Sequence, residues 1–137
     1  HFITQGFRND LLKVAEKSDL IFCNEHEAVS FTGEENTAKA FDKLCTKYKN
    51  VVVTKGASGS IVHWQGKNYQ IPAYETKPLD TTGAGDMYAG GFLYGIISTG
   101  SAEKAGHLGS YASSRVVSQF GARLAEDHKG IVKSVIR

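Results

Sequence analysis

The sequence contains little cysteine: Cys23 and Cys45 are the only two, and both lie within apolar stretches. This pattern predicts buried thiols and argues against a disulfide framework or a zinc site, which need more ligands at fixed spacing. No apolar run approaches membrane-spanning length, and residues 1–5 lack the basic-then-apolar pattern of a signal peptide. We therefore expect a cytoplasmic protein with no membrane partner.

A run of charge of one sign is also missing. The 16 Lys and Arg and the 14 Asp and Glu are scattered along the chain and leave a net charge of +2. A nucleic-acid-binding surface usually needs a basic stripe or cluster. We therefore expect no nucleic-acid partner, whereas small phosphorylated ligands remain compatible with the composition.

Internal repeats, low-complexity tracts and linkers rich in proline and serine are absent from the 137 residues. This length suits one compact domain with a real core, so we expect a single domain over residues 1–137. The chain starts at His1 without an initiator Met and runs quickly into a helical pattern, which fits a fragment of a longer protein.

Apolar residues follow patterns that alternate between strands and helices. Strands are predicted at 20–23, 51–54, 60–64 and 68–73, and helices at 6–17, 24–31, 38–48, 86–98, 102–120 and near the C-terminus. Gly33 is expected to end the second helix. The alternation implies an α/β fold with a largely parallel sheet and a β-hairpin or meander.

The clearest chemical signal is Asp80–Asp86, which reads Asp-Thr-Thr-Gly-Ala-Gly-Asp and precedes a helical stretch. The first amides of a helix lack intrahelical partners and lie at the positive end of its dipole. Gly83, Ala84 and Gly85 would therefore form an anion hole for a phosphate. Asp86, beside it, would accept a proton from an attacking hydroxyl. The alternative is a glycine turn with an acidic residue favouring the helix start.

Two other phosphate-binding motifs do not match this segment. A P-loop ends in Gly-Lys-Ser or Gly-Lys-Thr, and Asp86 occupies the position of that lysine. The dinucleotide-binding fingerprint requires a glycine three residues after Gly85, where this sequence has Tyr88. An NAD-binding domain is therefore disfavoured.

The whole segment, continuing into Met-Tyr-Ala-Gly-Gly-Phe, closely resembles the C-terminal signature of PfkB-family carbohydrate and nucleoside kinases. The likeness extends from about Asn24 to Leu124. It implies the C-terminal, nucleotide-binding portion of a ribokinase-like three-layer α/β/α sandwich, without the N-terminal half and lid. It also implies ATP-dependent phosphorylation of a sugar or nucleoside hydroxyl, with Asp86 as general base and the amides of residues 83–85 as anion hole.

Asn24-Glu25-His26-Glu27 resembles the family's Asn-x-x-Glu motif. That resemblance implies that Asn24 and Glu27 organise Mg²⁺ and its phosphate-bound waters, with Glu27 acting through water. The alternative is a capping box, because Asn24 stands at an N-cap position and Glu27 three residues later.

Thr54-Lys55-Gly56-Ala57-Ser58-Gly59 resembles the family loop that lines the nucleotide phosphates and ribose. The resemblance implies nucleotide contacts for Thr54, Gly56 and Gly59, whereas a plain hairpin turn is the alternative. The small residues of the helix predicted at 102–120 resemble the family's adenine-side helix, which implies nucleotide contacts for Gly109 and Ser113. Close packing of two helices would also explain them.

Many members of the family hold a monovalent cation near the anion hole. The resemblance implies a K⁺ site formed by the Asp80 carboxylate and by carbonyl oxygens of Thr82 and Gly121, and it implies that Thr82 contacts the nucleotide.

The stretch 110–117 and Gly121-Ala122-Arg123 resemble adenosine-kinase-like members more than ribokinases. The acceptor stays open between adenosine, ribose, fructose and other nucleosides. A homodimer of the full-length protein is compatible with this interpretation. The alternative of a different class is a non-catalytic nucleotide-binding module.

Overall fold

The computed structural model describes residues 5–125 and 127–136. The helices are α1 (Gln5–Glu16), α2 (Glu25–Thr32), α3 (Thr37–Lys47), α4 (Ala84–Thr99), α5 (Ala102–Val117) and α6 (His128–Val135). The strands are β1 (Ile21–Asn24), β2 (Asn50–Thr54), β3 (Ser60–Trp64) and β4 (Lys67–Ile71), in the sheet order β1-β2-β3-β4. The predicted alternation of strands and helices is confirmed. Within the described ranges, no helix is long and apolar enough to span a membrane.

The chain divides into two compact units. One unit runs to Thr54 and includes Val62–Asn68, and the other comprises Lys55–Ile61 and the residues from Tyr69 onward.

The first unit is built on the parallel pair β1 and β2, in which Ile21 is opposite Val51 and Asn24 is opposite Thr54. Three consecutive valines of β2 are fully buried, as expected for a strand covered on both faces. The apolar side of α3 supplies Phe41 and Leu44 to the same core. Gly33 ends α2 in the left-handed conformation, with a φ of 73°, as predicted.

Asn50 fixes the start of β2 through its buried side chain. Its amide nitrogen donates a hydrogen bond to the Asp19 carbonyl at 2.8 Å, and its side-chain oxygen accepts one from the Gln65 amide at 3.0 Å. Gln65 and Gly66 both have positive φ, the combination that a two-residue hairpin turn of type I′ requires. The predicted hairpin between β3 and β4 is therefore present.

The apolar surface of β1 and α1 is incompletely covered. Among the described residues β1 pairs only with β2, and its three apolar residues are half-buried. On α1, Phe7 is 66% and Val14 64% exposed. A groove of about 910 Å³ runs between α1, β1 and α2.

In the second unit, α4 and α5 pack at very short range. A Cβ on Gly95 would lie 2.6 Å from the Ala105 Cα, and one on Gly91 would lie 2.9 Å from the Gly109 Cα. Glycines at these positions therefore let the two backbones approach each other. The helix α6 packs on α5 through Ile131, which joins a cluster with Leu108 and Ala112.

Two predicted helix ends are wrong by a few residues. The helix α4 begins at Ala84 rather than at Asp86, because Gly83 takes the N-cap position. The helix α5 ends at Val117 rather than near Phe120. The amides of Leu79 and Asp80 both donate to the Val117 carbonyl, at 2.8 and 3.2 Å, so a tertiary contact satisfies this terminal carbonyl.

Candidate active site

The N-terminus of α4 has no side-chain cap. Its N-cap is Gly83, with a φ of 78°, and the Gly83 carbonyl accepts the first helical hydrogen bond from Met87 at 2.9 Å. The Ala84 amide donates to the Thr81 carbonyl at 3.2 Å, whereas the amides of Gly83 and Gly85 make no hydrogen bond among the described residues. The predicted anion hole thus has two free amides and one that a turn already uses.

This helix terminus is open. Gly85 is exposed, and a Cβ added to it would meet nothing within 4 Å. Asp86 is exposed in the same helical turn, and no ion pair or hydrogen bond within the described ranges engages its carboxylate. Free amides at a positive helix end next to open space fit a phosphate group, and the Asp86 carboxylate beside them is free to accept a proton.

The segment after α5 packs against the glycine turn that precedes α4. A Cβ on Gly83 would lie 2.6 Å from the Ala122 Cβ. Glycine is therefore required here for two reasons, the left-handed backbone and the contact with Ala122. The predicted K⁺ site already placed Gly121 near this turn, but no sequence pattern singled out Ala122 as the residue that contacts Gly83.

Asp80 connects this turn to the same segment. One carboxylate oxygen accepts a hydrogen bond from the Thr82 amide at 2.9 Å, and the other accepts one from the Gly121 amide at 3.1 Å. Hydrogen bonds from the Thr82 side chain and amide, and from the Gly121 amide, lower the pKa of Asp80. The carboxylate is therefore held in its charged form.

The residues predicted for K⁺ lie together around this carboxylate. The carbonyls of Thr82 and Gly121 accept no hydrogen bond from any described residue, so their oxygens remain available. A charged carboxylate with free carbonyl oxygens nearby is a donor set that fits a hard cation. The cation role of Asp80, Thr82 and Gly121 stays a prediction.

Backbone hydrogen bonds within the loop hold together the segment that is predicted to line the nucleotide. Gly56–Ser58 forms a 3₁₀ turn, and the Lys55 amide donates to the Gly59 carbonyl at 2.7 Å. Gly56 is exposed with open space around it, whereas a Cβ on Gly59 would lie 2.1 Å from the Ile71 carbonyl oxygen. Gly59 is therefore needed for packing, and Gly56 is the accessible glycine of the loop. Thr54, half-buried, ends β2 in the first unit.

Asn24 and Glu27 form the capping box that was the alternative interpretation. The Glu27 amide donates to Asn24 Oδ1 and the Asn24 amide donates to Glu27 Oε2, each at 2.9 Å. Both side chains are exposed at the groove beside β1. The second carboxylate oxygen of Glu27 takes no part in the box, so it fits an outer ligand of Mg²⁺, which usually keeps several waters. The metal role stays a prediction.

No cluster of three or more His, Cys, Asp or Glu side chains able to hold a metal occurs among the described residues. Magnesium in nucleotide sites is commonly held by one or two carboxylates together with substrate phosphates, so the donor set around Glu27 remains compatible with such a site.

The small residues of α5 mainly serve helix packing. A Cβ on Gly109 would lie 2.7 Å from the Tyr88 carbonyl oxygen, and one on Gly106 would lie 2.6 Å from the Ile71 side chain. Ser113 is half-buried. The packing alternative therefore accounts for Gly109, and the nucleotide roles of Gly109 and Ser113 stay predictions.

Sequence reasoning also missed a buried pair of hydroxyls. Tyr88 on α4 and Ser60 on β3 form a hydrogen bond at 2.7 Å. Both residues are polar within apolar patterns, and neither pattern indicated the contact.

Comparison with known proteins assigns the family. The pfkB family carbohydrate kinase pattern matches residues 1–129. This match covers nearly the whole sequence, so the chain belongs to the PfkB family of carbohydrate kinases.

Three proteins illustrate the likeness. A nucleoside kinase from Methanocaldococcus jannaschii is 33% identical over 88% of this chain and 40% of the relative. A 5-dehydro-2-deoxygluconokinase from Listeria monocytogenes is 37% identical over 90% of this chain and 39% of the relative. The adenosine kinase structure from Sinorhizobium meliloti has a TM-score of 0.87 at 30% identity, covering 95% of this chain and 41% of that one.

These comparisons confirm the predicted family and the ribokinase-like fold. The chain spans about two fifths of the length of each of these proteins.

Proposed function

We propose that the whole protein containing this chain transfers the γ-phosphate of ATP to a hydroxyl group of a sugar or nucleoside. Membership of the PfkB family supports the reaction class. The single observation that carries the assignment is the open N-terminus of α4, where the free amide of Gly85 lies one residue from the exposed Asp86. This arrangement supports a phosphate site and a base at one helix end.

In this proposal the reaction is direct phosphoryl transfer. Asp86 accepts the proton of the acceptor hydroxyl as the hydroxyl oxygen attacks the γ-phosphorus of ATP and ADP leaves. The amides of Gly83, Ala84 and Gly85 stabilise the negative charge on the transferred group. Gly83 and Gly85 offer free amides, and Ala84 joins them once its hydrogen bond to Thr81 is shared or broken. No covalent enzyme intermediate is required.

The nucleotide is held by the elements that the family resemblance assigns to it. Thr54, Gly56 and Gly59 contact the phosphates and ribose, and Thr82, Gly109 and Ser113 contribute further contacts. Asn24 and Glu27 orient the waters of Mg²⁺, which neutralises charge on the phosphate oxygens. Asp80 and the carbonyls of Thr82 and Gly121 would hold a K⁺ ion, whose positive charge would lie beside the anion-hole turn. In this proposal, residues 1–137 form the C-terminal nucleotide-binding half of a cytoplasmic kinase.

The acceptor class follows from the relatives rather than from this chain. By their names, they act on nucleosides, adenosine and 5-dehydro-2-deoxygluconate. We therefore propose an acceptor that is a nucleoside or a sugar-like polyol, with the pocket for it supplied mainly by the rest of the protein.

The decisive experiment is an acceptor panel with the full-length protein. Adenosine, cytidine, ribose, fructose and 5-dehydro-2-deoxygluconate are each incubated with Mg²⁺ and ATP, and ADP and the phosphorylated product are both quantified. Acceptor-dependent ADP formation matched by product supports the kinase. ATP binding without transfer to any member of a broadened panel would instead identify a nucleotide-binding module and overturn the proposal.

A further inference from the structure

Tyr88 and Ser60 form the most deeply buried side-chain hydrogen bond among the described polar groups of the second unit. Their hydroxyl oxygens are 2.7 Å apart, and Tyr88 is 4% and Ser60 1% exposed. A buried hydroxyl without a partner is costly. Each hydroxyl therefore depends on the other, and the distance between their two backbones is fixed.

In the sequence, the two residues lie next to the two segments that are proposed to contact the nucleotide phosphates. Ser60 follows Gly59 directly, at the end of the Gly56–Gly59 loop, and Tyr88 lies two residues after Asp86. Burial raises the pKa of the Tyr88 hydroxyl to about 12. The hydroxyl therefore stays protonated at physiological pH and the hydrogen bond persists.

The helix α5 also connects Tyr88 to the Gly56–Gly59 loop. The backbone of Tyr88 lies against Gly109 of α5, and the neighbouring Ser110 donates a hydrogen bond to the Pro72 carbonyl at 2.8 Å. The backbone around Pro72 in turn packs against Gly59. The Gly56–Gly59 loop is therefore connected to Tyr88 in two ways, through Ser60 and through α5.

The hydrogen bond between Ser60 and Tyr88 joins the first residue of β3 to the first turns of α4. The aromatic ring of Tyr88 also packs against Phe92, with centroids 6.4 Å apart, so a phenylalanine would keep the packing. Removing the hydroxyl therefore breaks the coupling without removing the ring.

From this geometry we propose that the Tyr88 hydroxyl is a positioning group. Through Ser60 it holds the Gly56–Gly59 loop at a fixed distance from the first turn of α4, so that both sets of nucleotide contacts form together. The inference rests on the proposed function, in which both segments bind ATP.

The test compares three variants of the full-length protein: Tyr88→Phe, Ser60→Ala and the two combined. The dissociation constant for ATP is measured by calorimetry, together with the unfolding temperature, kcat, and KM for ATP and for the acceptor. Tyr48→Phe is the matched control, because Tyr48 is a similarly buried tyrosine (6% exposed) in the other unit. Ser60→Ala keeps the test informative if Tyr88→Phe does not fold.

We expect each single variant to weaken ATP binding and raise KM for ATP about two- to tenfold, the range of one net hydrogen bond. The KM for the acceptor should stay unchanged. The double variant should bind ATP no more weakly than the worse single variant, since both remove the same bond. Tyr48→Phe should leave ATP binding unchanged.

Two results would overturn the inference. One is a lowered unfolding temperature in both single variants with unchanged ATP affinity, and the other is additive losses in the double variant. The proposed function is judged separately, because a wild-type protein that binds ATP but phosphorylates nothing refutes the kinase while the ATP affinities still decide the role of Tyr88.

Discussion

Asp80 and Gly121 are joined across 41 positions of the chain by a hydrogen bond of 3.1 Å from the Gly121 amide to the Asp80 carboxylate. The other carboxylate oxygen accepts the Thr82 amide at 2.9 Å. One side chain therefore connects the loop before α4 with the segment after α5. Gly83 directly follows Thr82 and packs on Ala122, which directly follows Gly121. The shape of the glycine turn before α4 therefore depends on this carboxylate.

The charge state of Asp80 should determine the order of this loop at low pH. Hydrogen bonds from Thr82 and Gly121 place the folded-state pKa of Asp80 below the unfolded value. The contribution of Asp80 to stability is therefore complete at pH values above the pKa that it has in the unfolded chain, about 4. This contribution is lost as the pH falls through the lower pKa that Asp80 has in the folded protein. The amide chemical shifts of Thr82 and Gly121 should report this loss as a common titration.

Asp80→Asn supplies the control, because an asparagine cannot accept both amides through two oxygens. In that variant the two amide shifts should no longer titrate together, and exchange of the Gly121 amide with solvent should be faster at neutral pH. Asp42→Asn, which changes an exposed carboxylate on α3, should leave both amides unchanged. Independent titrations of Thr82 and Gly121 in the wild type would contradict the prediction.

Gly83→Ala should destabilise the protein by about 1–3 kcal/mol, the range for a non-glycine residue in a strained backbone conformation. The φ of 78° and the distance of 2.6 Å from an added Cβ to the Ala122 Cβ both oppose the substitution. Thermal or denaturant unfolding of the full-length protein measures the loss.

Combining Gly83→Ala with Ala122→Gly should recover part of this loss, since it removes the contact but leaves the strained backbone. Gly130→Ala on α6 is the matched control, because its added Cβ would meet nothing within 4 Å and its backbone is helical. A Gly83→Ala protein as stable as the Gly130→Ala control would show that the turn adapts freely.

The sequence was informative where a structural requirement is local. The glycine turn before α4, the Asn24–Glu27 capping box and the Gly33 helix end each lie within a few consecutive residues, and the structure contains all three. The interpretation of Asn24 and Glu27 was less secure, because the same spacing serves a capping box and a metal site.

Two long-range contacts had no signal in the sequence. Tyr88 forms a hydrogen bond with Ser60, which lies 28 positions earlier in the chain. The amides of Leu79 and Asp80 donate hydrogen bonds to the carbonyl at the end of α5. Such contacts depend on how elements pack, and no periodicity or turn pattern encodes which hydroxyl or carbonyl becomes the partner. The predicted end of α5 was wrong for this reason.

Asp86→Asn should lower the turnover of the full-length protein by at least about two orders of magnitude, the usual contribution of general base catalysis. Affinity for ATP should survive, because the amides of Gly83 and Gly85 remain free in the variant. Steady-state kinetics with the acceptor found in the panel measures the first quantity, and calorimetry measures the second.

Glu103→Gln is the matched control for Asp86→Asn. Glu103 is an exposed acidic residue in the first turn of α5, so this change removes a carboxylate from the first turn of a neighbouring helix. Its turnover should equal that of the wild type. Near-normal turnover of Asp86→Asn would eliminate Asp86 as the base.

Glu27→Gln separates the capping role of Glu27 from its proposed metal role. Glutamine can replace glutamate in a capping box, so the hydrogen bond to the Asn24 amide, at 2.9 Å in the wild type, should persist and the unfolding temperature should change little. The negative charge is lost, however. If Glu27 orients the waters of Mg²⁺, the Mg²⁺ concentration giving half-maximal rate should rise about tenfold or more, as for other residues that support metal ligands.

Glu27→Ala completes the comparison, because it removes both the charge and the cap. It should show the same change in Mg²⁺ dependence as Glu27→Gln and an additional loss of stability of about 0.5–2 kcal/mol, the range for losing an N-terminal cap interaction. The two measurements are independent, since the first follows the rate against Mg²⁺ concentration and the second follows unfolding without nucleotide. An unchanged Mg²⁺ dependence in both variants, with stability lost only in Glu27→Ala, would assign Glu27 to the capping box alone.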